Sequence, residues 1–259
     1  MASESEKKDT GTYLYAVASG LAETEFGAIG LHDTRVYTVA IADGGGQLIA
    51  VVSDVPTGEE LRPERKHLSA HQRVLRKVID NSRVVLPVSF GTVAESADGI
   101  RRLLERYQAD LSEQMRRVEG KIELAARTYY KAERPSVFDF FVARSPELAA
   151  TRDRFAGQTL TRDEKIELGQ AFEQALNRAR DEYAGVVEKE VSPYCAEVKR
   201  NPARNEQEFV RLACLVPKDK QREFEAALER SAKALPAEFA VEENGPFPPY
   251  DFIELHLTV

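Results

Sequence analysis

Tryptophan is missing from this 259-residue chain, and methionine and cysteine occur only twice each. The scarcity of Trp and Met removes two favoured anchors of tight binding surfaces. Two thiols, Cys195 and Cys214, are too few for a disulfide framework and lack Cys-x-x-Cys spacing, so they read as ordinary reduced thiols. No apolar run approaches the roughly 18 residues that a membrane span needs, and the opening MASESEKKDTG has no apolar centre like that of a signal peptide. The expectation is a cytosolic protein with no membrane partner. An excess of positive charge is absent too: 36 Lys and Arg face 43 Asp and Glu, a net charge of −7. That balance argues against a nucleic-acid partner, as does the lack of the aromatic motif by which RNA-recognition modules stack bases.

With 42% hydrophobic and 31% charged residues, the chain is globular, and its length suits two domains. Residues 1–11 are polar and read as a disordered lead-in. TYLYAVA (12–18), RVYTVAIA (35–42) and QLIAVVS (47–53) read as strands, the last two joined as a hairpin through Asp43 to Gly46. From Pro63 to Ile79 the residues Leu68, Val74, Leu75, Val78 and Ile79 recur at helical spacing. VVLPVSF (84–90) is a strand at an edge or bent at Pro87, which cannot donate to a ladder. Ile100, Leu103, Leu104, Tyr107, Leu111, Met115 and Val118 line one face of a single helix of about five turns. An α+β domain over 12–119 follows, with helices on one face of its sheet.

The boundary falls near Glu119 and Gly120, where KIELAARTYY (121–130) starts a new strand and a second α+β domain over 120–259. Ser145-Pro146-Glu147 starts a helix, and Thr161 with Glu164 forms a capping box for a long helix of about 161–190. FVRLACLV (209–216) reads as a strand, Lys218 to Leu235 as a helix and EFAVEE (238–243) as a strand. Pro246, Pro248 and Pro249 impose an extended connection into a final strand, DFIELHL. No internal repeat is visible. The fold class is α+β, two domains, each a small mostly antiparallel sheet with packed helices.

Residues that carry chemistry are few. His67 and His71 are four apart on a helix, the spacing of a two-histidine metal site, but Leu68 stands where a metalloprotease helix has its Glu and no third ligand is near in sequence. A metal-dependent enzyme using this pair is therefore the second functional reading. The plainer assignment makes His71 a half-buried core-edge residue and leaves His67 solvated. Gly44 to Gly46 precede a strand rather than a helix, so they read as a turn and not as a phosphate cradle. No GxSxG is present, and Glu59/Glu60 and Glu242/Glu243 are solvated charge. Neither catalytic residues, nor metal, nor cofactor are expected. Phe138, Phe140 and Phe141 with Tyr129 and Tyr130 concentrate aromatic surface, with core packing as the default.

Three segments together resemble one family. YLYAVASG (13–20), HQRVLRKVIDNSRVVLPVSFGTV (71–93) and GPFPPYDFIEL (245–255) are similar, in the same order, to the gas vesicle proteins of the F/L type, over nearly the whole chain. The departures are Ser89, where that family commonly has a basic residue, and Phe247, where it commonly has Trp. The resemblance implies two α+β domains, the C-terminal one modified ferredoxin-like. It implies a non-catalytic minor structural component or assembly factor, located in the gas vesicle and in the cytoplasm before assembly. Its partners would be the hydrophobic shell protein and other accessory gas vesicle proteins; the oligomeric state is left open. An apolar client calls for an adaptor with an apolar patch rimmed by charge. The contact candidates are Val88 and Phe90 in the 88–93 loop, and Pro246, Phe247, Pro248, Pro249 and Tyr250.

Overall fold

The computed structural model describes residues 10–21, 24–43, 46–57, 61–254 and 257. Residues 1–9 of the expected lead-in, Gly44 and Gly45 of the hairpin turn, Glu59/Glu60, and Leu255 and His256 of the expected last strand lie outside the described residues. Two compact units are present: residues 1–122 with 247–259, and residues 123–246. The closing segment, expected with the second domain, thus belongs to the first unit. Among the described residues no helix is long and apolar enough to cross a membrane.

The first unit opens with β1 (Thr10–Ser19), which already includes Thr10 and Gly11 of the expected lead-in, and β2 (Glu25–Gly27). A tight turn at Leu31–Asp33 leads to β3 (Val36–Asp43) and β4 (Gly46–Pro56), then α1 (Arg65–Asn81), β5 (Val84–Pro87) and β6 (Val93–Ala94). α2 (Ala97–Arg106) and α3 (Gln108–Val118) complete it. The sheet order is β2-β3-β4-β1-β5, with β6 also paired to β1. β1 is antiparallel to β4, β5 and β6.

Every residue of β1 from Gly11 to Ala18 is buried. Successive side chains of a strand point to opposite faces, so helices cover both faces of this sheet and not the expected one. α1 contributes Val74, Leu75 and Val78 to the cluster around Tyr13 and Tyr15, while α2 packs against β1, β3 and β4. The expected single helix of residues 100–118 is broken at Tyr107, whose φ of −103° and ψ of 17° end one helix and start the next. The apolar stripe runs on, but the change of direction lets α2 cover β1, β3 and β4 and α3 cover β5.

The second unit consists of β7 (Lys121–Tyr130), α4 (Val137–Val142), α5 (Pro146–Arg154), α6 (Arg162–Val191), β8 (Glu197–Arg200), β9 (Glu208–Pro217), α7 (Gln221–Ala234) and β10 (Phe239–Phe247). Its sheet order is β10-β7-β9-β8. Leaving β2 and β6 aside, both sheets place their first strand between their last and their third. Thr161 caps α6 in the expected box, accepting from the Glu164 backbone while the Glu164 carboxylate accepts from the Thr161 N–H at 2.7 Å. The core is aromatic. Phe209 and Phe239 lie edge-on at 4.8 Å, Tyr183 meets Phe239 at 4.9 Å, and Phe140 meets Tyr130 at 5.2 Å. Of the aromatics concentrated in this stretch, Phe140, Phe141 and Tyr130 are buried core, whereas Phe138 and Tyr129 are half-buried.

The expected final strand is not formed over its described part. Tyr250–Phe252 is a 3-10 turn, in which the Tyr250 N–H bonds the Pro248 carbonyl at 2.7 Å and the Phe252 N–H the Pro249 carbonyl at 3.2 Å, taking up the N–H groups locally.

Candidate functional site

The site begins with an irregularity in β1. Its register against β4 shifts between Leu14 and Ala16, leaving Tyr15 as the extra residue. The bulge lets Tyr13, Tyr15, Ala16 and Ala18 all enter one core cluster, which strict alternation would forbid. It also redirects backbone groups. The Leu14 N–H reaches the Thr92 carbonyl at 2.9 Å, and the Tyr15 carbonyl accepts from Val88 N–H at 3.0 Å. The 88–92 loop is thereby tied to β1 between β5 and β6.

His71 reaches this cluster from α1. Tyr13 Oη lies 2.8 Å from His71 Nδ1 and accepts from the Gly91 N–H at 3.2 Å. With its acceptor role filled by Gly91, the phenol donates to Nδ1, so the neutral ring carries its proton on Nε2. That nitrogen faces Tyr250 Oη at 3.4 Å. Gly91 has a φ of +95°, a conformation in which a side chain is strained. Phe90 and Tyr15 flank the imidazole, with ring centres 5.9 and 5.6 Å from it. Tyr15 is fixed in turn by hydrogen bonds with Ser53 Oγ at 2.9 Å and from Leu31 N–H at 2.8 Å.

Burial dominates the electrostatics here. It depresses the His71 pKa from 6.5 to about 4, so the ring is neutral at neutral pH. It also raises the Tyr13 and Tyr15 phenols, partly offset at Tyr13 by the Gly91 N–H. Two phenols and a neutral imidazole hold a shape; with no charge and no activated nucleophile among them, they offer no acid or base poised near neutrality.

The contact candidates divide. Val88, Pro248 and Pro249 are buried and Phe90 is half-buried. Pro246 is exposed, as are Phe247 at 39% and Tyr250 at 37%. The segment carrying Phe247 and Tyr250 is anchored by Phe252, which is 0% exposed, and extends to α3, where Glu254 N–H approaches Gln114 Oε1 at 3.4 Å.

The structure does not assemble His67 and His71 into one site. His71 faces the two tyrosines, whereas His67 Nδ1 is 3.0 Å from the Arg62 carbonyl. Nor is His67 solvated as expected, being 8% exposed. It lies two helical turns before Val74 on the buried face, whereas Leu68 is 40% exposed. The sequence does not single out Tyr13 and Tyr15 as site residues. Their signal was the aromatic pair at strand spacing in YLYAVASG, which alone is indistinguishable from ordinary core.

The family model described as gas vesicle synthesis protein GvpL/GvpF matches residues 11–254. Gas vesicle protein F of a Streptomyces species is 29% identical over 211 residues, 81% of this chain and 85% of that protein. Gas vesicle protein F of a Nostoc species is 25% identical over 250 residues, 95% and 99% of the two chains. The crystal structure of GvpF from Anabaena shares the fold with a TM-score of 0.78 at 23% identity, covering 95% of this chain and 99% of that one. That of GvpF from Microcystis aeruginosa gives 0.74 at 21% identity, with the same coverage.

Proposed function

Since the chain belongs to the gas vesicle synthesis protein GvpL/GvpF family and its role is accordingly associated with gas vesicles, we propose that it is a non-catalytic minor structural component or assembly factor. In this reading it binds the hydrophobic shell protein, and other accessory gas vesicle proteins, during vesicle formation. It works at the gas vesicle, after a cytoplasmic stage before assembly.

One observation carries the proposal. The three segments that resemble the family meet in a single network, Tyr13 from the first, His71 and Gly91 from the second, and Tyr250 from the third. A chain that fastens Pro248, Pro249 and Phe252 inside while leaving Phe247 and Tyr250 at the surface presents two aromatics in a fixed shape. Preorganised aromatics lose little conformational entropy on binding and are the residue types that anchor interfaces. The buried Val88, Pro248 and Pro249 then support a contact surface on the first unit formed by Phe247, Tyr250 and the edge of Phe90, with Pro246 next to it in the chain. The acidic balance of the chain, a net charge of −7, suits the polar rim that an apolar patch needs to stay soluble.

The test is co-purification of the protein with co-expressed shell protein, washed at low and then high salt. Retention at both is expected, because an apolar contact is little screened. Phe247→Ser should release the shell protein while leaving the fold intact, since this side chain is already exposed. No retention of the shell protein by the unsubstituted chain at either salt would overturn direct binding.

A further inference from the structure

His67 has a second histidine beside it, though not the one four residues away. The ring centres of His32 and His67 are 4.9 Å apart, with the planes inclined by 57°. His67 Nδ1 lies 3.0 Å from the Arg62 carbonyl oxygen. A carbonyl can only accept, so Nδ1 holds the proton and Nε2 of the neutral ring presents a lone pair. That nitrogen is buried and has no hydrogen-bond partner among the described residues, in a side chain only 8% exposed. Buried acceptors are nearly always satisfied, and a histidine that donates its far N–H to a backbone carbonyl is in the pose of a metal ligand.

The opposite ring is held by an unusual backbone. His32 and Asp33 both have φ of +55°, a left-handed conformation that costs a non-glycine residue free energy and persists only where its surroundings enforce it. Here Thr34 N–H bonds the Leu31 carbonyl at 3.1 Å, Asp33 N–H the Gly30 carbonyl at 3.2 Å, and Gly30 N–H the Thr34 carbonyl at 3.0 Å. Leu31 N–H is fixed to Tyr15 Oη. Gly30 is needed at the base of the turn, because a Cβ there would stand 2.7 Å from the same Tyr15 oxygen.

We propose that His32 and His67 bind one divalent transition-metal ion of the zinc type, His67 through Nε2, with water in the remaining positions. Two imidazoles sharing a tetrahedral ion, with metal–nitrogen bonds of about 2.0–2.1 Å, have their ring centres roughly 5 Å apart, in agreement with the separation here. Imidazole pairs favour zinc, nickel, cobalt or copper over magnesium and calcium, which prefer oxygen. No group of three His, Cys, Asp or Glu capable of holding a metal occurs among the described residues, so these supply two ligands, and the site opens to water on the side of the exposed His32. Bound there, the ion clips the 31–33 turn to the first turn of α1. The proposal is independent of shell-protein binding.

The experiment uses untagged full-length protein stripped with chelator, titrated with Zn²⁺ by calorimetry and with Co²⁺ by visible absorption at neutral pH. One equivalent of Zn²⁺ should bind and raise the melting temperature. His32→Asn, which keeps a residue tolerant of the left-handed turn at an exposed position, should weaken binding by about tenfold or more; His67→Gln should do the same, and His71→Gln should leave it unchanged. Absence of binding to the unsubstituted protein at millimolar Zn²⁺ would overturn the proposal. So would undiminished binding in His32→Asn, or loss confined to His71→Gln.

Discussion

His71 must stay uncharged in the native protein, because protonating a ring that accepts from Tyr13 inside the core would remove that hydrogen bond and bury a charge. Its pKa is about 4 when folded against an ordinary 6.5, so between these values the unfolded chain binds more protons than the native one. Stability contributed by this group is therefore complete above pH 6.5 and is lost as the pH falls toward 4. Urea unfolding measured across that window should show a slope that His71→Gln removes, on the order of 3 kcal/mol in total. Tyr13→Phe makes a related prediction at constant pH. It leaves the Gly91 N–H without its acceptor and His71 Nδ1 without its donor, and should cost about 1–3 kcal/mol in the urea midpoint. Of these residues His71 was legible from its place in an amphipathic stripe. Its partners were not, because hydrogen bonds between Tyr13, Gly91 and Tyr250 join segments that have no sequence relation of spacing.

At the scale of elements, periodicity read well where an element packs along its whole length. The capping box located the start of α6 at Arg162 because both of its hydrogen bonds are local. Much of the first third of that helix is exposed, including Ile166 at 48%, so the box carries more of the helix's local stability there than packing does. Thr161→Ala should cost roughly 0.5–2 kcal/mol and show itself as faster hydrogen exchange across residues 162–170. The middle of the second unit responds differently: Phe209→Ala opens a cavity within the aromatic cluster and should lower stability by about 3–5 kcal/mol, read by thermal or urea unfolding. The break at Tyr107 had no sequence signal. No Pro or Gly marks it, and the apolar stripe passes through unchanged while the two helices turn to different strands.

Over the whole molecule, the chain leaves the first unit at Ile122 and returns to it at Phe247. Residues 247–254 complete that unit through Phe252, Tyr250 and Glu254. A chain ending at Pro246 should therefore lose hydrogen-exchange protection in α1, β1 and the 88–93 loop, while β9 and α7 in the second unit retain theirs. Equal loss in both units would contradict this division. The same truncation should abolish shell-protein retention if Phe247 and Tyr250 form the contact, and should leave zinc affinity at His32 and His67 measurable as long as the 31–33 turn stays folded.

The amino-acid sequence by itself determined the α+β class, most strands and helices, the cap of α6 and the family. Each of these is carried by local spacing or by a motif read in order along the chain. Only the tertiary structure decided which faces of the first sheet are covered, where the closing segment packs, and which histidine His67 meets. These depend on contacts between residues far apart in sequence, and their free energy comes from burial and hydrogen bonding that no local pattern encodes. His67 illustrates the difference: read along the chain it is a solvated residue, whereas the fold buries it on the face of Val74, and the left-handed turn at His32 gives it a neighbour.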